Sequence, residues 1–174
     1  QMEFYTDAKY YLSQALTLLQ KSRNLRESSR IQILIIETKI EMAEYENIEE
    51  ELAEVQRFCE KNTEKKVLAQ TLSCFGLLYI RLGRFQDALK VLDQSESIMN
   101  TIPDFDQTEK VITKTRLAEA LSYINEIKAL PQMEDIHSDL CREFYQDHFL
   151  LIDIQTIIAI TYYLHSEYKK AMPL

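Results

Sequence analysis

Two residues in this chain could share a metal. His137 and Cys141 stand four apart, a spacing that places both side chains on one face of a helix. Zinc takes three or four protein ligands, and the next histidine, His148, lies eleven residues further on. A helix carrying a buried cysteine accounts for the pair more simply, so no metal site is expected. His165, after Tyr162-Tyr163, fits the C-terminal end of a helix, where a positive charge meets the dipole. No Ser/His/Asp or Cys/His order matches a nucleophile motif. Gly76 and Gly83 are the only glycines, so no glycine-rich loop can cradle a phosphate. The chain reads as a non-enzyme, with no catalytic residue and no cofactor.

Charge narrows the partners. The formal net charge is −8, whereas a nucleic-acid binder usually presents a basic face. Glu44, Glu46, Glu49, Glu50, Glu51 and Glu54 crowd the start of one expected helix, where acids suit the dipole and read as a solvated face or, alternatively, as an acidic patch for a basic partner segment. Lys21, Arg23, Arg26 and Arg30 read as a solvated connection. Cys59, Cys74 and Cys141 are odd in number and lack a CxxC pair, which suits reduced thiols and an intracellular setting. No apolar run reaches the ~18 residues that span a bilayer. Gln1-Met2-Glu3-Phe4-Tyr5 has no basic stretch leading into an apolar one, as a signal peptide would.

What must position any site is helical. Two glycines and three prolines in 174 residues cannot supply the tight turns of a sandwich, barrel or doubly wound sheet. Helical periodicity predicts an all-α chain of eight to nine helices, near 3–21, 29–43, 46–61, 65–82, 85–99, 108–129, 131–148, 151–164 and from Glu167 onward. Lys21 to Ser29 reads as the first connection and Asn100 to Thr108 as the longest loop. Pro131 fits the first turn of a seventh helix. Gly83 suits the left-handed position that closes the fourth.

A period runs through these helices. Tyr5, Tyr45 and Phe85 are 40 residues apart, each followed at +3 by Ala8, Ile48 or Ala88, and at +7 by Leu12, Leu52 or Leu92. Tyr168 and Ala171 repeat the start, while the copy between is blurred, with Met133 and Ile136 as its best match. Residues 69–100 hold the sharpest copy: Leu72, Phe75, Gly76 and Tyr79, then Gly83, Phe85, Ala88 and Leu92. This pattern resembles the tetratricopeptide repeat (TPR), in a long-helix variety. Leu72, Phe75 and Leu92 replace the tryptophan, leucine and phenylalanine of the pattern. Ile35-Ile36, Ala43, Tyr45, Ile48 and Leu52 form a weaker copy, with Lys39 where a tyrosine is expected. Ile158-Ala159, Tyr162, Tyr168 and Ala171 form another.

The resemblance implies antiparallel helical pairs stacked as a right-handed solenoid. It covers residues 1–174 as one domain, with repeat helices about 3–21, 29–62, 65–100, 108–148 and 151–174. Because the chain starts and stops inside a repeat, it is expected to be part of a longer array or to use its end helices as caps. First helices of such pairs line a concave face. The resemblance implies a scaffold or adaptor within a multi-subunit complex, binding an extended or helical segment of another protein, or a peptide-sensing regulator that changes curvature. Neither nucleic acid nor membrane is an expected partner. The ligand-facing residues it implies are Arg30, Ile33, Glu37, Ile40 and Glu41 on one first helix, and Gln70, Ser73, Leu77, Ile80 and Arg81 on the next. Ile33, Ile40, Leu77 and Ile80 are expected to form an exposed apolar strip, because Ile35, Ile36, Phe75, Gly76 and Tyr79 already fill the seam within each pair. Too few cations line this face for it to clamp a terminal carboxylate.

Overall fold

A computed structural model of the chain describes the backbone of residues 2–143 and 149–164. All seven described elements are helices: α1 (Met2–Lys21), α2 (Leu25–Glu41), α3 (Ile48–Asn62), α4 (Lys65–Arg81), α5 (Phe85–Asn100), α6 (Gln107–Glu143) and α7 (Phe149–Leu164). No strand occurs among the described residues.

The helices are cut to length by one recurring backbone device. Arg23, Ala43, Thr63 and Gly83, each twenty residues after the last, have φ of +56°, +58°, +56° and +72°. In each case the next amide donates five residues back: Asn24 to Leu19, Glu44 to Lys39, Glu64 to Cys59 and Arg84 to Tyr79, at 2.8–3.2 Å. This is the Schellman closure, in which a left-handed residue lets the chain satisfy the helix's last carbonyls and turn away. Two such twenty-residue units make the forty-residue period.

Chain order and packing agree. Each helix touches the next in sequence, and α2 also touches α4 while α4 touches α6. The central core joins α2 to α5 through Ile36, Ile40, Ile48, Leu52, Leu78 and Leu92, all nearly inaccessible, with Leu117 and Ala120 of α6. A β-carbon on Gly76 would lie 2.4 Å from both Cγ and Cδ2 of Leu92, so the glycine sets how closely α4 and α5 approach.

Two expected boundaries move. The first connection shrinks from nine residues to the few before Leu25. Asn24 caps α2 by accepting from the Glu27 amide at 3.3 Å, and the hydroxyls of Ser28 and Ser29 donate to the carbonyls of Asn24 and Leu25. Polar residues that read as loop are satisfied inside a helix. The helices expected at 108–129 and 131–148 form one element, α6, with Pro131 inside it.

That element is not straight. Met133 meets Thr161 and His137 meets Gln155 on α7, yet Val111 and Ala118 belong to the same buried cluster with Leu151, Ile154 and Ile158. A straight helix would hold Val111 and Met133 about 33 Å apart, further than ten residues of α7 can bridge. The path bends between Ala118 and Met133, and a proline, which donates no hydrogen bond and crowds the preceding turn, is the usual cause. The helix expected from Glu167 lies outside the described residues.

Candidate interaction groove

One helix of each successive pair (α2, α4, the first part of α6, then α7) contributes to a common face. A cavity of about 590 Å³ opens there, with Leu77, Ile112, Thr115 and Ile157 among its apolar and hydroxyl lining, Glu41, Arg81, Arg116 and Glu119 as charges, and Tyr5 of α1 and Thr156 of α7 at its edges.

Its polar residues are tied together at the repeat period. Arg81 reaches both neighbours, donating from Nη2 to Glu41 at 3.3 Å and from Nη1 to Glu119 at 3.1 Å. Burial alone would lower the affinity of Arg81 for its proton, but the Glu119 and Glu41 carboxylates outweigh it and hold the guanidinium above its usual range. Arg116 donates at 3.0 Å to Glu37 on α2 and at 3.0 Å to the Ser73 hydroxyl on α4, while Thr113 donates to Ser73 at 2.8 Å. Gln70 donates to Glu109 at 3.1 Å. Desolvation, with the nearby charge of Glu37, pushes the Glu109 carboxyl up. Partners across these seams are separated by 38–43 residues, except that Arg116 reaches Glu37 across 79.

The structure thus gathers the expected polar residues Glu37, Glu41, Gln70, Ser73 and Arg81 on one face. Arg30 stands at its end, paired with Glu27 and bordering a small cavity with Ile33 and Gln70. The apolar members fall elsewhere. Ile33, Ile40, Leu77 and Ile80 are only 4%, 1%, 4% and 5% exposed, so the exposed apolar strip does not exist. These residues fill the seams where α2 lies on α4 and α4 on α6, a job that packing within a pair does not cover. Ser73 is also buried, at 1%.

Sequence reasoning missed the α6 and α7 side of the groove. Its signal was present: adding one period to Gln70, Ser73, Leu77 and Arg81 lands within two residues of Glu109, Thr113, Arg116 and Glu119. The blurred third copy hid it, because the aromatic-and-small signature lies on second helices and these residues lie on first helices.

The other candidate chemistry resolves into structure. Within the acidic run, Glu44 pairs with Lys9, Glu51 with Lys39 at 2.7 Å, and Glu49 with Arg84 at 3.1 Å. Glu49 also accepts from the Tyr79 hydroxyl at 2.8 Å, and the Arg84 guanidinium lies 4.2 Å over the Tyr79 ring. In the basic connection, Arg26 pairs with Glu64. His137 Nε2 lies 3.6 Å from the Cys141 sulfur and 3.1 Å from Gln155 Nε2, and among the described residues no three metal-binding side chains converge. Cys59 and Cys74 are buried but Cys141 is exposed, contrary to the buried cysteine expected beside His137. His148 and His165 lie outside the described residues. No helix among those described is long and apolar enough to cross a membrane.

Neither a family model nor a curated protein matches the chain. Solved structures do. Two structures of a Podosopora anserina protein assigned as a kinesin light chain, built of nearly identical TPR-like repeats, superpose at 15% identity. One gives a TM-score of 0.67 over 97% of this chain and 82% of that one. The other gives 0.64 over 99% and 89%. The fold is a TPR-like helical solenoid.

Proposed function

We propose that the chain is a protein-interaction module, a scaffold or adaptor within a larger intracellular assembly, that holds an extended or helical segment of a partner protein in the groove of α2, α4, α6 and α7. The observation that carries this reading is the 590 Å³ cavity on that face, wide enough for side chains and lined by apolar residues between charged ones. Such mixed concave surfaces suit peptide segments, whose apolar side chains enter while backbone and charges meet the walls. The chemistry is binding alone, without catalysis or cofactor. An acidic chain of net charge −8 favours a protein over nucleic acid or an anionic membrane surface. The groove cations Arg81 and Arg116 already hold glutamates, which argues against a free carboxylate as the main ligand.

The residues proposed to meet the partner are the polar set Arg30, Glu37, Glu41, Gln70 and Arg81, now joined by Ile112, Thr115, Arg116, Glu119 and Thr156. Affinity capture by the wild-type chain and by Thr156→Trp, read by mass spectrometry, tests the placement. Thr156 is exposed, so tryptophan there fills the groove without disturbing the core. A partner held by the wild type and lost from the variant, at unchanged melting temperature, is the expected result. Equal capture by both refutes the groove.

A peptide-sensing regulator is the second reading, and the ties across repeats favour it. A ligand that takes Arg81 or Arg116 from its glutamates would release α2 from α6 and alter curvature. X-ray scattering with and without a bound peptide separates the two: a scaffold keeps its profile and a sensor does not.

A further inference from the structure

A second groove lies on the opposite, convex side. Helices α3 and α5 both pack on α4, but their backbones do not closely approach each other. Two cavities of about 450 and 300 Å³ occupy the gap and share Gln56, Leu72 and Gln94, so they form one trough. Its floor is a single face of α4: Leu68, Leu72, Phe75 and Tyr79, spaced four, three and four residues apart, or about 16 Å of helix. The two ends differ. At one, Tyr79, Arg84, Asp87 and Glu49 already satisfy one another. At the other, Leu68 and Ile98 lie beneath the carboxylates of Glu60 and Asp93. Among the described residues, Glu60 accepts from the Gln56 amide one turn before it and forms no ion pair, and neither does Asp93.

The repeat provides an internal comparison. One period earlier, the same four positions on α2 are Ser28, Gln32, Ile35 and Lys39, and Lys39 is drawn aside to Glu51. A polar floor is therefore compatible with this fold, and the apolar floor of α4 with its acidic mouth is particular to this repeat.

We infer that the trough between α3 and α5 is a docking site for a basic amphipathic helix of a partner protein, whose apolar residues lie on the half-buried Leu68 and Ile98 and whose lysines or arginines meet Asp93 and Glu60. Charge complementarity at the Leu68 and Ile98 end selects this occupant: an acidic segment would face the Glu60 and Asp93 carboxylates there, whereas Lys90 lines the other half of the trough with Arg84 and Asp87. Desolvation already raises the Asp93 carboxyl, so a cation placed there removes a standing cost. The surface is separate from the groove of α2, α4, α6 and α7, and the two stand or fall independently.

The probe is a synthetic helix of about four turns with leucines on one face and lysines flanking them, against a second in which glutamate replaces every lysine. Backbone amide shifts in NMR titrations locate each. The lysine helix is expected to bind and to move the amides of Leu68, Leu72, Asp93 and Ile98, and the glutamate helix to bind at least about tenfold more weakly. Asp93→Lys, at an exposed position, should weaken the lysine helix about tenfold and leave the melting temperature unchanged. Leu68→Glu should abolish binding; should it also unfold the chain, Ser97→Glu and Ser97→Lys at the exposed rim replace it, with glutamate strengthening and lysine weakening the complex. Thr156→Trp should have no effect. Absence of binding, binding indifferent to Asp93→Lys, or binding lost in Thr156→Trp would each overturn the inference.

Discussion

At the scale of residues, the left-handed closures are uneven. Gly83 adopts its φ of +72° freely, but Thr63 holds +56° with a branched β-carbon, a conformation costing roughly 1–2 kcal/mol. Thr63→Gly should therefore raise stability by about 0.5–1 kcal/mol after the entropy that glycine adds to the unfolded chain. Gly83→Ala should lower it by about 1 kcal/mol, and urea unfolding measures both. Gly76→Ala should cost about 1–2 kcal/mol net, because overpacking against the buried Leu92 exceeds the gain in helix propensity. Tyr79 reports on alkali. Burial, and then its hydrogen bond to Glu49, pushes its hydroxyl up from 10.0 to about 12. The folded state thus keeps a proton that the unfolded state releases first. Its contribution to stability is complete below pH 10 and is lost as pH rises from about 10 to about 12. Tyr79→Phe should lose that part of the alkaline decline, which paired unfolding curves across this window would show.

At the scale of elements, burial separates roles that spacing alone merged. The face of α4 bearing Leu77 and Ile80 is a seam with α2 and α6, and Leu77→Ala or Ile80→Ala should each cost ~2–5 kcal/mol, as buried truncations do. A loss under ~1 kcal/mol in thermal unfolding would return these residues to the surface. The helices also decide which thiol reacts. Burial raises the Cys59 thiol to about 11 and pushes the Cys74 thiol well above its ordinary range, while Cys141 is exposed near the end of α6. A thiol reagent at neutral pH should label Cys141 in the folded chain and the other two only on unfolding, as peptide mapping would reveal. Early labelling of Cys74 would contradict the packing of α4.

At the scale of the whole molecule, few side chains reach beyond an adjacent repeat, and Arg116 does. It links α6 to both α4 and α2, and its side chain is 15% exposed. Arg116→Ala should cost about 1–3 kcal/mol, since it takes the Arg116 donor from the part-buried Glu37 carboxylate. In a double-mutant cycle with Glu37→Gln, the coupling should approach 1 kcal/mol at low salt and shrink as salt rises. A coupling of zero would mean that the tie does not fix the spacing of the repeats.

Much of this was legible in one dimension. Scarcity of glycine and proline excludes sheets, and the recurrence of Tyr5, Tyr45 and Phe85 sets the repeat. Gly76 and Gly83 mark a close approach and a closure, because each of these depends on local backbone geometry or on one helix meeting its neighbour in the chain. The polar residues on α2 and α4 that share this face were implied by the resemblance to the tetratricopeptide repeat. What the tertiary structure alone decided were contacts between elements one or two repeats apart. Spacing shows that Ile33, Ile40, Leu77 and Ile80 point away from the pair seam, but a helix has more than two sides, and only the approach of the next repeat shows that this side is covered. Pro131 likewise reads as a start in sequence, but it stands inside the continuous α6, whose Met133 and Ile136 pack with α7 beyond it. Partners for Arg81 and Arg116 could be found only where α2, α4 and α6 stand side by side, because the attraction between charges depends on distance in space and not on distance along the chain.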